Sequence, residues 1–279
     1  MISRLAGAIL RAIFVVLLIA TPSLLLPGVT SDTTQIVSLV AIFAAALTLF
    51  EYASVYPGLV EFRDAPPFNR IRFVSLFLTV FLLTMISRGI SSPTTATQFI
   101  TAIGALIGHV LDFPYSPVRL MVLMLPEGTP ESQVLMVRTA AGMSYLISLL
   151  SLVTFLMALR MQKWPTRSGS FNVWINLPTF DPTAGGDVVA RLERDARFNI
   201  ALGFLLPFLI PAVLKSASDL FGSVTMDNSQ TLIWTIAAWA FLPASLFMRG
   251  IAMGKIAEMI ASKRRLSYAA SEEHPYQPA

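Results

Sequence analysis

The chain has 279 residues, of which 55% are hydrophobic and only 13% charged, with a mean hydropathy of +0.69; soluble domains carry roughly a quarter charged residues. This excludes an ordinary soluble domain and indicates an integral membrane protein. The pI near 9.6 does not call for a nucleic-acid partner, because the bases lie in loops beside apolar spans, where the positive-inside effect accounts for them. There is no cysteine and there are two histidines, His109 and His274, so disulfides, thiolate chemistry and a histidine-rich metal site are all excluded within one chain. No cofactor is expected.

Six stretches are apolar and long enough to cross the roughly 30 Å hydrocarbon core, which takes about 20 helical residues. They lie near residues 5–26, 36–56, 71–90, 134–159, 198–216 and 229–249, and the predicted fold is an all-α polytopic membrane helix bundle. The first carries Arg4 and Arg11 and resembles a signal peptide, but no A-x-A site follows it, so a retained helix is expected. With the N-terminus cytoplasmic, only Arg88, Arg119, Arg138 and Lys215 of the 20 bases fall on the outer side. That asymmetry puts both termini in the cytoplasm. The Ala- and Arg-rich, Lys-poor usage points to a bacterial cytoplasmic membrane.

Residues 91–126 hold two apolar runs, Phe99–Leu111 and Phe113–Leu125, broken by DFPYSP. Each is shorter than a full span and suits an interfacial or re-entrant helix, so the expectation is six spans plus an outer-face helical hairpin. Two extra crossings would leave the charge asymmetry unchanged. His109 and Asp112 are three apart, a spacing that permits an acid–imidazole pair and more often serves structure. Gly104 and Gly108 form a small-xxx-small pattern suited to close helix packing, as do Gly250 and Gly254.

Two cytoplasmic connections stand out, near 57–70 and 161–197. The second is long for a structureless loop and should carry structure or function of its own. Gly185-Gly186 make a turn, Asp187 caps a short amphipathic helix, and Arg191 with Asp195 and Glu193 with Arg197 stand four apart. The DPTAGGD run lacks the lysine and preceding strand of a phosphate-binding loop. The single transmembrane domain is expected to end near 266, with a disordered polar tail over 267–279.

The sharpest internal feature is a near-repeat. RDAPPFN, Arg63 to Asn69, precedes the third span, and RDARFN, Arg194 to Asn199, precedes the fifth. Both spans leave the cytoplasm in the same direction, as in parallel repeats related by an axis along the membrane normal. Arg63, Asp64, Asn69, Arg194, Asp195 and Asn199 would then form a polar cytoplasmic ring; the simpler reading is that Arg-Asp pairs anchor helix ends at the interface. Ionisable groups inside a span cost about 2.5–3.5 kcal/mol each, which singles out Glu51, some five residues inside the end of the second span. Pro207 and Pro211 free backbone carbonyls at mid-membrane and are expected to break the fifth span.

No catalytic or metal motif rises above background, so the expected function is non-enzymatic. The first reading is an accessory, assembly or scaffold protein that binds other membrane proteins, or its own copies, through Arg-, Asn- and aromatic-rich cytoplasmic loops. The alternative is a small-solute or ion transporter or channel with a site near Glu51 and the Pro207–Pro211 break. Membrane lipids are expected neighbours, and Lys263-Arg264-Arg265 would draw anionic lipid to the cytoplasmic face.

Overall fold

The computed structural model describes residues 2–162, 164–165, 171–221, 226 and 228–273. The fold is 79% helix with no strand among the described residues. In chain order the helices are α1 (Ile2–Leu25), α2 (Ser31–Ala53), α3 (Phe68–Ser91), α4 (Thr95–Leu111), α5 (Pro117–Leu123), α6 (Glu131–Met161), α7 (Val173–Asn176), α8 (Val188–Phe221) and α9 (Ser229–Glu273). Six of them, α1, α2, α3, α6, α8 and α9, are long and apolar enough to cross a membrane. At 1.5 Å per residue, α4 reaches about 25 Å and α5 about 10 Å, so neither crosses unaided and the structure supports six spans rather than eight.

Helices α3, α6 and α9 pack on one another at the centre, α8 lies along α9, α1 leans on α3, and α2 packs on α1 alone. Two apolar clusters follow from this. One joins Val80, Leu83, Val137, Ala141, Ile233 and Trp239 with Val118 and Met121 of α5. The other joins Phe62, Phe68, Phe155, Trp164, Leu177, Leu192 and Met248, and so ties both long connections to α3, α6, α8 and α9. It lies at the end of the bundle where the bases concentrate, called here the basic face.

Glycines set the close crossings. A Cβ on Gly108 would stand 2.7 Å from the Arg138 carbonyl, and one on Gly142 would overlap the Gly108 backbone, so α4 and α6 touch main chain to main chain. The neighbours of Gly104 and Gly89 place α4 against residues 86–89 of α3 and 139–143 of α6. It therefore lies across the ends of those helices, away from the basic face. Gly250 abuts the Ala196 carbonyl and Ile200 at the α8–α9 crossing, whereas Gly254 meets only Ala196 Cβ at 3.9 Å. Gly203, not singled out from the sequence, makes an equally tight contact with Pro243 and Phe247.

Three expectations are corrected. Pro207 and Pro211 do not break α8, which runs unbroken through both. Pro211 has no N–H to donate to the carbonyl four residues back, and Trp239 Nε1 donates to that Pro207 carbonyl at 3.0 Å instead. The amphipathic helix capped by Asp187 is not separate from the fifth span: Asp187 Oδ2 accepts from the Ala190 amide at 3.2 Å, and one helix of 34 residues follows. Within it Arg191 turns back to the Ala184 carbonyl at 2.7 Å and over the Phe180 ring, instead of pairing with Asp195. Finally, α9 continues past Ser267 to Glu273; His274 and the rest of the tail lie outside the described residues.

Candidate functional site at the basic face

The connection between α2 and α3 folds back on the end of α2 through two side chains of opposite charge. Glu51, 3% exposed, accepts hydrogen bonds from the backbone amides of Gly58, Leu59 and Val60 at 2.9–3.2 Å. Arg63, its side chain 3% exposed, donates to the carbonyls of Glu51 and Ser54 at 3.1 and 2.7 Å and to that of Val55. A cation on the unsatisfied carbonyls of a helix C-terminus is favoured by the helix dipole. Amides that a loop would leave bare are satisfied by the carboxylate, which explains its presence near the end of an apolar span. Asp64 pairs with Arg63 Nε at 3.2 Å, and Asn69 donates to the Glu61 carbonyl at 2.6 Å.

The centre of the face is Glu61, which no spacing in the sequence marked. Arg249 of α9 grips it as a fork, at 2.6 and 2.8 Å, and Thr179 donates to it at 2.8 Å. One carboxylate thus fastens the first connection to the second and both to α9. The second connection adds Asn176, whose carbonyl accepts from the Phe62 amide at 2.7 Å and whose Oδ1 accepts from the Asp64 amide at 3.0 Å. Phe62, at a φ of 52°, is buried between Phe68 and Trp164. Arg72 lies over the rings of Phe68 and Phe241.

The structure brings Glu51, Arg63, Asp64 and Asn69 together but does not make the two RDA segments equivalent. Arg63 and Asp64 lie in a loop ahead of α3, with Arg63 buried. Arg194 and Asp195 lie two turns inside α8, 3.6 Å apart, and the Arg194 side chain is 71% exposed. Asn199 is buried and donates to the Asp195 carbonyl one turn back. Asp195 does share the electrostatic surroundings of Arg249, so α8 borders the network without repeating it.

Beyond this network, Asp187 and Arg264 tie the start of α8 to the far part of α9. The guanidinium of Arg264 and the amide of Ala190 hold the Asp187 carboxyl below its ordinary value of 3.8. Asp181 is likewise lowered, chiefly by the Thr183 hydroxyl and amide. On the opposite face Asp112, its side chain 5% exposed, takes Arg119 and Arg138 at 2.7 Å each. These are ion contacts whose N–H groups are not aligned on the oxygens. Asp112 therefore pairs with two of the four bases that depart from the charge asymmetry, and not with His109.

Between α1, the end of α2, the start of α3 and the connection above them is a cavity of about 900 Å³. Arg11, Tyr52, Arg63, Asn69 and Arg70 line its polar end, and Leu10, Phe14, Phe73 and Val74 its apolar wall. Among the described residues no group of three or more His, Asp or Glu side chains gathers to hold a metal. No protein-family model, curated protein or solved structure matches the chain.

Proposed function

We propose that this is a non-enzymatic accessory or assembly protein of a bacterial cytoplasmic membrane, with both termini and the basic face in the cytoplasm, docking other membrane proteins through that face. The observation that carries the reading is the projection of α9. Its 45 residues extend about 68 Å, against a hydrocarbon core of roughly 30 Å. Residues 262–269 are exposed over more than two successive turns, with Leu266 72% and Tyr268 68% exposed. Apart from the Asp187–Arg264 ion pair this stretch is largely exposed to solvent. Exposed helix is only marginally stable by itself, and large apolar side chains among bases are the composition of a contact surface.

The features that favoured transport each have an internal partner. Glu51 is engaged by loop amides, the Pro207 carbonyl by Trp239, and the two RDA segments differ in structure. Transport is accordingly the weaker reading. A photo-crosslinker placed at Leu266 or Tyr268 in native membranes tests the docking reading. Discrete adducts of defined mass are expected there and not from a crosslinker at exposed Ile42 of α2. Monomer alone at all three positions, together with solute flux in reconstituted vesicles, would reverse the ranking.

A further inference from the structure

The cavity at the basic end of α1, α2 and α3 has the shape and chemistry of an amphiphile site. Its volume of about 900 Å³ lies within the roughly 300–1,000 Å³ of small-molecule pockets. It exists because α2 packs on α1 and not on α3, while Glu51 and Arg63 hold the connection between α2 and α3 folded over the gap. The result is a wedge roofed by the connection and backed by α1.

The polar end carries three arginines. Arg63 is fixed on backbone carbonyls and paired with Asp64, and so shapes the polar end without offering a free charge. Arg11 lies over the Tyr52 ring, 4.6 Å from its centre, and the one hydrogen bond of its guanidinium among the described residues goes to the Gly7 carbonyl. Arg70 is exposed, and no hydrogen bond or ion pair engages its side chain among the described residues. Of the neighbouring carboxylates, Glu51 is closed off by amides and Asp64 is paired with Arg63, so the positive charge left at the mouth is that of Arg11 and Arg70. Guanidinium groups suit phosphate because their N–H groups match its oxygens in pairs.

The apolar end continues into a track. Phe14 meets Phe73 at 6.0 Å between ring centres, Phe73 stacks on Phe77 and Phe77 on Phe81. These α3 rings recur every fourth residue and carry the face about 12 Å along the helix, away from the arginines. A charged head at one end and an aromatic groove along the membrane from it match one molecule in polarity and direction. We propose that this cavity binds an anionic phospholipid of the leaflet at the basic face, phosphate between Arg11 and Arg70 and an acyl chain along Phe14, Phe73 and Phe77. The inference is independent of the docking reading.

The test uses the full-length protein in nanodiscs of phosphatidylcholine with one-tenth phosphatidylglycerol. Native mass spectrometry after release should show one retained phosphatidylglycerol, and the double variant Arg11→Gln/Arg70→Gln should lower its retention about thirtyfold, the combined effect of two bases at an anionic surface. A second readout keeps the arginines. In Phe73→Trp, emission in excess of the wild-type background should be quenched more by brominated phosphatidylglycerol than by brominated phosphatidylcholine, with no reversal by inorganic phosphate. Equal quenching by the two lipids would reduce the cavity to general lipid contact, and displacement by phosphate would make it a soluble-anion site. Either result, or undiminished retention in a folded double variant, overturns the proposal.

Discussion

At the residue scale, the charged groups of the basic face act as fasteners. Glu51 satisfies three amides that no helix or sheet serves, and hydrogen bonds to a charged group are worth about 1.5–3 kcal/mol each before water competes for exposed members. Glu51→Ala should therefore lower stability by about 1–3 kcal/mol, and Glu51→Gln, which keeps one carbonyl oxygen, by less; thermal midpoints in detergent measure both. An unchanged midpoint with lost solute flux would instead make Glu51 a transport residue. Arg249 holds Glu61 with two N–H groups from one planar fork, which a lysine cannot reproduce. Arg249→Lys should cost about 1.5–3 kcal/mol and make the 171–180 segment a better protease substrate, an effect that limited proteolysis would register.

At the scale of elements, two contacts set how helices meet. The α4–α6 crossing has no room for a side chain at Gly108, so Gly108→Leu should destabilise by about 3 kcal/mol or more through overpacking. Gly254→Ala has space, and within a helix alanine is favoured over glycine by about 1 kcal/mol. Thermal unfolding should place the first variant well below the wild type and the second at or above it. The start of α8 is held to α9 by Asp187 and Arg264, and the Asp187 carboxyl is lowered from its ordinary 3.8. A lowered carboxyl stabilises the folded state above its unfolded value, and that contribution disappears as pH falls through the folded one. Hydrogen exchange at the Ala190 amide should thus accelerate as pH drops below about 3.8 relative to buried amides of α8, corrected for intrinsic rates. Arg264→Gln should move the onset to higher pH; an onset unmoved by that change would remove Arg264 as its cause.

At the scale of the whole molecule, the charge asymmetry and the six spans give one arrangement in the membrane. Reporter fusions after Thr183 and at the C-terminus should score cytoplasmic, and one in the base-free 28–35 loop should score on the other side. A C-terminus on that other side would mean an odd number of crossings. The bases on the minority side do not weaken the expectation equally, because Arg119 and Arg138 converge on Asp112 and act there as parts of an ion cluster.

Composition and hydropathy by themselves determined the membrane bundle and six stretches able to span it, because crossing hydrocarbon demands about 20 apolar residues in a row and that demand is local in sequence. The choice of six crossings over eight came with the short α4 and α5 of the structure. The Asp187 cap was legible for the same reason, since a cap and its helix are neighbours in the chain. Tertiary structure alone decided the rest. Glu61 and Arg249 are 188 residues apart, and no spacing rule reaches across that distance. The RDA segments share letters but differ in burial, because one folds against α2 while the other is already helical. The prolines of α8 looked like a break until Trp239, 32 residues on, supplied the missing donor. Sequence specifies which groups each segment must satisfy; which distant group satisfies them is set by how the helices pack, and from that packing come the closed network at the basic face and the cavity beside it.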